Sequence, residues 1–218
     1  MPQPAVFTPD LLRRLETNGP RYTSYPTADR FHERFTEAQY AQALAERAQL
    51  ARQNAAPPLA LYVHIPFCES VCYYCACNKI VTCHHERALP YLDLLECEIE
   101  MHAKALGSRQ RVTQLHFGGG TPTFLSDAEL SRLMASLRAA FEIAPDAENS
   151  IEVDPRTATP VRLAHLRALG FNRISFGVQD FDAEVQEAVH RIQPAEWVEA
   201  LMKRRARANR ASIRSTST

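Results

Sequence analysis

The sequence predicts an α/β fold built on a parallel sheet, and three observations carry that prediction. Strand-like and helix-like segments alternate four times between Leu59 and the region beyond Asp182. Glycine is scarce, seven in 218 residues, yet Gly118, Gly119 and Gly120 stand together directly after one strand-like segment. Each of the four strand-like segments is followed by a polar motif, at Cys68, at Gly118–Thr121, at Glu152 and Asp154, and at Gln179 and Asp180. Right-handed β/α crossovers bring all carboxyl ends of such strands to one rim, where chemistry gathers.

Taken in order, residues 1–30 are rich in proline and mixed in character, and are expected to form an arm that does not pack as an element. From Thr36, the run EAQYAQALAERAQLAR places Ala, Leu and charges at helical spacing, and NAAPP stops it. The first strand is expected over Leu59–Phe67, followed by a long amphipathic helix over Glu86–Leu106. A second strand over Val112–Phe117 leads to a helix over Ser126–Phe141, with Ser126 and Glu129 forming a capping box. The third unit is a strand over Ser150–Val153 and a helix over Pro160–Leu169 ending at Gly170. A fourth strand over Arg173–Val178 precedes a helix from about Asp182.

Composition narrows the class. The chain is 45% hydrophobic and 23% charged, which excludes disorder and collagen. No apolar run approaches the roughly 18 residues of a membrane span, and MPQPAVFTPDLLRRLE lacks the apolar core of a secretory signal, so a cytoplasmic protein is expected. The 25 basic and 25 acidic residues balance, which gives no support to a nucleic-acid or membrane partner. The balance hides a tail, residues 203–218, with six Lys or Arg and no acid.

Cysteine placement points to chemistry. Four of the six cysteines, Cys68, Cys72, Cys75 and Cys77, fall within ten residues, too close for unstrained bridging to one another. In a reducing cytosol such a group is a metal or cluster site. The spacing Cys68-x3-Cys72-x2-Cys75 lets three thiolates ligate three irons of a [4Fe-4S] cubane and leaves the fourth iron open. An open iron on a low-potential cluster suits reductive cleavage of S-adenosylmethionine. A structural zinc site with Cys77 as fourth ligand is the alternative, although Cys75-x-Cys77 is tighter than zinc pairs usually are.

These residues carry a resemblance. YVHIPFCESVCYYCACNKIVT resembles the cluster loop of radical S-adenosylmethionine enzymes, specifically the oxygen-independent coproporphyrinogen III oxidases. GPRYTSYPTADRF, LHFGGGTPTFL, SIEVDPR and GFNRISFGVQDFDAEVQEAVHRIQ extend the likeness over residues 19–202. Relatives that act as haem chaperones typically carry an aspartate-aromatic pair after the third cysteine, where this chain has Ala76 and Cys77.

The resemblance implies a partial radical-SAM (β/α) barrel, four of the family's six parallel strands, with an N-terminal arm and helix at 1–55 and a core at 56–202. It implies Cys68, Cys72 and Cys75 as cluster ligands and S-adenosylmethionine contacts at Tyr62, Tyr74, Gly119, Gly120, Thr121, Glu152, Gln179 and Arg191. The implied reaction turns two propionates of coproporphyrinogen III into vinyls by hydrogen abstraction with a 5'-deoxyadenosyl radical, fed by a low-potential electron donor, in a monomeric protein. Arginines are apt for that tetra-anionic substrate, although the sequence does not single them out. A non-catalytic cluster-binding or haem-handling module, or an inactive fragment, is the alternative.

His64, His84, His85, His116, His165 and His190 are expected to have no special role, and Cys97 to be helix packing. Family members continue with a strand like Ile-Asn-Val-Asp-Leu, whose codons shifted by one base can spell the terminal Ser-Thr-Ser-Thr. The expectation is therefore that the frame shifts near residues 202–210 and that 203–218 is not family sequence, against a solvated basic tail as the other reading.

Overall fold

The computed structural model describes residues 8–15 and 27–201. The chain divides into two compact units, Met1–Gln42 and Ala43–Thr218. In the first, helix α1 spans Pro9–Leu15, so part of the expected arm is helical. Thr8 supplies a side-chain acceptor to the Leu11 amide at 3.2 Å, which starts the turn. The call on residues 203–218 lies outside the described residues.

Helix α2, Glu37–Arg52, buries only Ala48. Its mixed alanine and charge pattern explains the thin apolar contact. The second unit holds a four-stranded sheet: β1 Leu59–Ile65, β4 Arg111–Gly119, β5 Glu142–Val153 and β6 Arg173–Phe176, in the order β1-β4-β5-β6. Every neighbouring pair is parallel, as the alternating pattern predicts. Helices α3 Ala88–Leu106, α4 Asp127–Ala140 and α5 Pro160–Ala168 connect the strands, and α6 Ala183–Ala188 follows the last.

Side chains alternate across a strand, so the two faces differ in kind. One face carries Val63, Ile65, Leu115, Phe117, Ile151 and Val153, which join Leu92 and Ile99 of α3, Leu130, Leu133, Met134 and Leu137 of α4, and Leu166 of α5 in one core. The other face carries Tyr62, His116, Ser150 and Arg173 in adjacent register across all four strands. A parallel sheet usually buries both faces; this one keeps a polar side, as a sheet lining a ligand space does.

Two boundaries depart from the sequence reading. Strand β5 begins at Glu142, eight residues earlier than expected, and pairs Arg111 with Glu142 before the register shifts between Val112 and Gln114. Its early half reads polar (EIAPDAEN) because it lies at the sheet's entrance, where hydrophobic periodicity is weak. The second departure is a small parallel ribbon, β2 Phe67–Cys68 with β3 Ile80–Val81. Two-residue strands carry no period that a sequence can reveal. That ribbon closes the base of the cysteine loop.

The capping box of α4 forms as predicted. Ser126 Oγ accepts from the Glu129 amide, and Glu129 Oε2 accepts from the Ser126 amide at 2.7 Å. Cys97 corrects an expectation: it sits on α3 but is exposed, because it falls off the stripe Leu92–Ile99 that meets the sheet.

Candidate functional site

The site grows from the end of β1. After Ile65 the chain crosses Pro66 into β2, and Phe67 is wedged in a stack of aromatic rings, with Phe124 at 5.2 Å and Tyr91 edge-on at 5.5 Å. The backbone is tied on both sides: Ile80 N–H donates to Pro66 O at 2.7 Å, Thr82 N–H to Cys68 O at 2.9 Å, and Thr121 N–H to Phe67 O at 2.8 Å. The glycine run explains the third tie. A Cβ on Gly120 would lie 2.6 Å from Pro66 O and 2.8 Å from Phe67 O, and Gly119 adopts φ +112°. The run thus lies tight against the chain's own cysteine loop, and the amides of Gly120 and Thr121 donate to Ile65 O and Phe67 O.

Between Cys68 and Ile80 the loop holds its three predicted ligands in different degrees of shelter. Cys68 and Cys75 are half-buried and Cys72 is buried. Cys68 Sγ accepts from Thr121 Oγ1 at 3.5 Å, and Cys75 Sγ accepts from the Cys77 amide at 3.4 Å. Burial raises the Cys68 thiol; the bond from Thr121 opposes this, the charge of Cys75 reinforces it, and Lys79 and Arg191 pull it back in part. The Cys77 thiol is raised by burial and by its contact with Cys75. Lys79 Nζ donates to Cys75 O at 2.8 Å and braces the far limb.

The loop is also anchored to later segments. Tyr73 N–H donates to Val189 O at 3.0 Å, His190 Nδ1 lies 2.9 Å from Val71 O, and the rings of Tyr73 and His190 are 6.0 Å apart. Arg156, after β5, reaches Ser70 Oγ at 3.2 Å. Its guanidinium grips Asp154 with Nε and Nη2, at 3.0 and 2.6 Å from the two carboxylate oxygens. Burial pushes the Asp154 carboxyl up, but the hydrogen bonds from Arg156 and the charges of Arg156 and Arg191 outweigh it and hold it below the usual range.

The polar face of the sheet meets this rim. Tyr62 Oη lies 3.1 Å from His64 Nδ1, and the Tyr62 ring stacks on His116 at 5.7 Å. His116 Nδ1 is 2.7 Å from Ser150 Oγ, and its Nε2 is 3.4 Å from Glu152 Oε1. Burial raises the Tyr62 phenol, and the charges of Glu152 and Cys77 raise it further. A cavity of about 280 Å³ opens on this face, lined by His116, Glu148, Ser150, Arg173 and Ser175 among others.

Of the predicted contacts, Tyr62, Gly119, Gly120, Thr121 and Glu152 thus gather with the cysteines at one rim. Arg191 joins them from the other side: its Nε donates to Gly177 O at 3.2 Å and Nη2 stands 3.9 Å from Asp154 Oδ2. Tyr74 and Gln179 are exposed, and among the described residues no side-chain hydrogen bond ties either to the rest. Sequence reasoning missed Arg156, Ser70 and two histidines. His64 and His116, expected to be idle, hold Tyr62 and Glu152. The signal was their spacing: Tyr62 and His64, like His116 and Gly118, are two apart on one strand and so share a face.

Three thiols offered from one short loop, one buried and two half-buried, with Arg156 and Lys79 bonded to the same loop, fit a cubane that takes one thiolate per iron. A structural zinc ion instead draws four ligands to about 2.3 Å of one point. Among the described residues, no three His, Cys, Asp or Glu side chains form a preset metal site of either kind, so the preference for a cubane rests on the Cys68-x3-Cys72-x2-Cys75 spacing. Among the same residues, no helix is long and apolar enough to cross a membrane.

The chain is similar to known proteins. The radical SAM superfamily matches over residues 62–216. The oxygen-independent coproporphyrinogen III oxidase of Pseudomonas aeruginosa is 50% identical over 196 residues, which are 89% of this chain and 42% of that protein. Its Escherichia coli counterpart is 52% identical over 192 residues, 88% of this chain and 40% of that protein. A solved structure of coproporphyrinogen III oxidase from Escherichia coli, a radical SAM enzyme, superimposes with a TM-score of 0.74, covering 84% of this chain and 40% of that one. The chain thus spans about two fifths of the length of these relatives.

Proposed function

Because the chain belongs to the radical SAM superfamily, we propose that Cys68, Cys72 and Cys75 hold a [4Fe-4S] cluster and that the polar face beside them receives S-adenosylmethionine. The observation that carries this reading is the placing of the three-cysteine loop, with Thr121 bonded to Cys68, at the rim of a parallel sheet whose polar face brings Tyr62 and Glu152 together on His116. When bound, the cluster and S-adenosylmethionine supply a carbon-centred radical for hydrogen abstraction.

The chain's own residues do the rest. Glu152, fixed by His116, presents an acceptor to an ammonium or to ribose hydroxyls. Tyr62, clamped between His64 and His116, offers a ring face and a hydroxyl at the same opening. Arg191 carries a guanidinium suited to a carboxylate. Thr121 donates to Cys68, and the ring stack around Phe67 keeps the loop base rigid and dry. Tyr74 and Gln179, both exposed, are free to close on a ligand from above.

The reaction proposed is that of the relatives: oxidative decarboxylation of coproporphyrinogen III to protoporphyrinogen IX, in a cytoplasmic monomer served by a low-potential electron donor. The test is anaerobic reconstitution with iron and sulfide, followed by assays for S-adenosylmethionine cleavage and vinyl formation. Cluster, cleavage and vinyl product together support the proposal. Cluster without either product makes this chain a non-catalytic cluster-binding module, and no cluster removes the reading altogether.

A further inference from the structure

Arg156 stands in a single 3₁₀ turn, Pro155–Thr157, at the carboxyl end of β5. It contacts the cysteine loop at Ser70, a residue 86 positions away that lies between the first two thiols. Its own orientation is fixed from three directions on one acceptor: the Arg156 amide donates to Asp154 Oδ1 at 3.0 Å, Nε contacts both carboxylate oxygens at 3.0 and 3.1 Å, and Nη2 reaches Oδ2 at 2.6 Å. Asp154 is only 7% exposed. A planar fork held by a buried carboxylate is pre-organised in a way a lysine cannot copy.

The contact with Ser70 sets the guanidinium beside the stretch of loop that carries Cys68 and Cys72. The other cations at the rim do different work. Lys79 donates to a loop carbonyl. Arg191 donates to Gly177 O and, with the Gln193 amide turned to face it, meets the Gln193 oxygen at 2.9 and 3.2 Å. Arg156 alone among these three joins a loop side chain to the sheet.

We propose that Arg156 is a positioning residue: through Ser70 it pins the cysteine loop to the sheet rim, and its charge sets the reduction potential of the group that the three thiolates hold. Reduction adds a negative charge to a thiolate-ligated cluster, so a fixed cation nearby stabilises the reduced form more than the oxidised one and raises the potential. The inference rests on the cluster reading above and adds to it a residue that reading does not use.

The test takes the full chain and its Arg156→Gln, Arg156→Lys and Ser70→Ala variants through anaerobic reconstitution. Iron per chain, the rate of iron loss to a chelator and the midpoint potential from an EPR-monitored titration are measured. Arg156→Gln is expected to shift the potential downward and to lose iron several-fold faster. Arg156→Lys is expected to recover most of the potential while still losing iron faster, since it keeps the charge without the fork. Ser70→Ala is expected to lose iron faster at an unchanged potential.

Equal potentials in Arg156→Gln and the unaltered protein overturn the charge role, and unchanged iron loss in Ser70→Ala overturns the pinning. If Arg156→Gln does not fold, Arg156→Lys and Ser70→Ala still decide both points, because a lysine variant whose potential falls well below that of the unaltered protein overturns the charge role. An unaltered protein that takes up no cluster defeats the reading of the whole site. A normal cluster with indifferent variants defeats this inference alone.

Discussion

The two faces of the sheet are made by alternate residues of the same strands, yet they are held by different forces. On the helix side Leu115, Phe117 and Ile151 are fully buried, and each such side chain contributes about 1.5–3 kcal/mol by leaving water. On the opposite side the His116–Glu152 pair leaves 35% and 46% of its side chains in solvent, where an ion pair is worth about 0–1 kcal/mol. Stability and chemistry are therefore sorted by register: a strand that slipped by one residue would exchange them. The cysteine loop hangs at the edge between the two, its base packed through Phe67 and its first thiol bonded to Thr121.

Substitutions on opposite sides should fail in opposite ways. The largest effect belongs to the rim: Cys68→Ser or Cys75→Ser is expected to abolish uptake of an iron–sulfur cluster while leaving the apoprotein's unfolding midpoint nearly unchanged, read by iron analysis and by circular dichroism. Unchanged metal content in either variant would sink the assignment of the loop. On the helix side, Leu133→Ala should cost about 2–5 kcal/mol by leaving a cavity in the core. Denaturant titration measures that cost, and iron per folded chain should not change. If the core variant instead loses iron at constant stability, the sorting of roles by face is wrong.

The helix side was the legible half. The amphipathic helix expected over Glu86–Leu106, the Ser126–Glu129 box and the alternation of strand and helix all appear in the sequence because each depends on neighbours a few residues away. The rim was legible only where a motif names its chemistry, as with the three cysteines and the glycine run. Arg156 and Ser70 meet across 86 positions, and nothing local in either segment announces the other. His116 failed for another reason: a lone histidine on a strand is usually inert, and only the register opposite Tyr62 and Ser150 makes it part of the site. The ribbon Phe67–Cys68 with Ile80–Val81 was invisible because two residues show no period.

A smaller effect separates the faces by ligand affinity. His116→Ala removes the group that holds Glu152 and stacks on Tyr62, so S-adenosylmethionine is expected to bind the reconstituted protein about tenfold more weakly, close to 1.4 kcal/mol. Anaerobic calorimetry reads the affinity and thermal melting the stability, which should move by less than about 1 kcal/mol. Equal affinity with a large loss of stability would make His116 a structural residue of the kind its isolation in the sequence suggested.

The smallest predicted effect concerns a carboxylate on the apolar side. Glu129 is only 8% exposed, and four contacts fix it: the Ser126 amide and hydroxyl at 2.7 and 2.8 Å, and His85 Nε2 at 2.9 and 3.1 Å from its two oxygens. His85 in turn stacks on Phe124 at 5.2 Å, the ring that supports Phe67. Burial pushes the Glu129 carboxyl up, but the Ser126 bonds and the charge of His85 overcome it and leave it below its ordinary value. A group lowered on folding stabilises the fold fully above its unfolded value, about 4.3 for a glutamate, and that stability drains away as pH falls through the folded value. Glu129→Gln should therefore flatten part of the loss of stability seen in denaturant titrations below about pH 4, by an amount on the order of 1 kcal/mol, the scale of a helix cap. Asp154 and Glu96 are lowered as well, so the difference between the two pH profiles, and not the slope of either, isolates Glu129. Superimposable profiles would mean that the box holds α4 by its hydrogen bonds alone, and that charge plays no part on the face where the core is made.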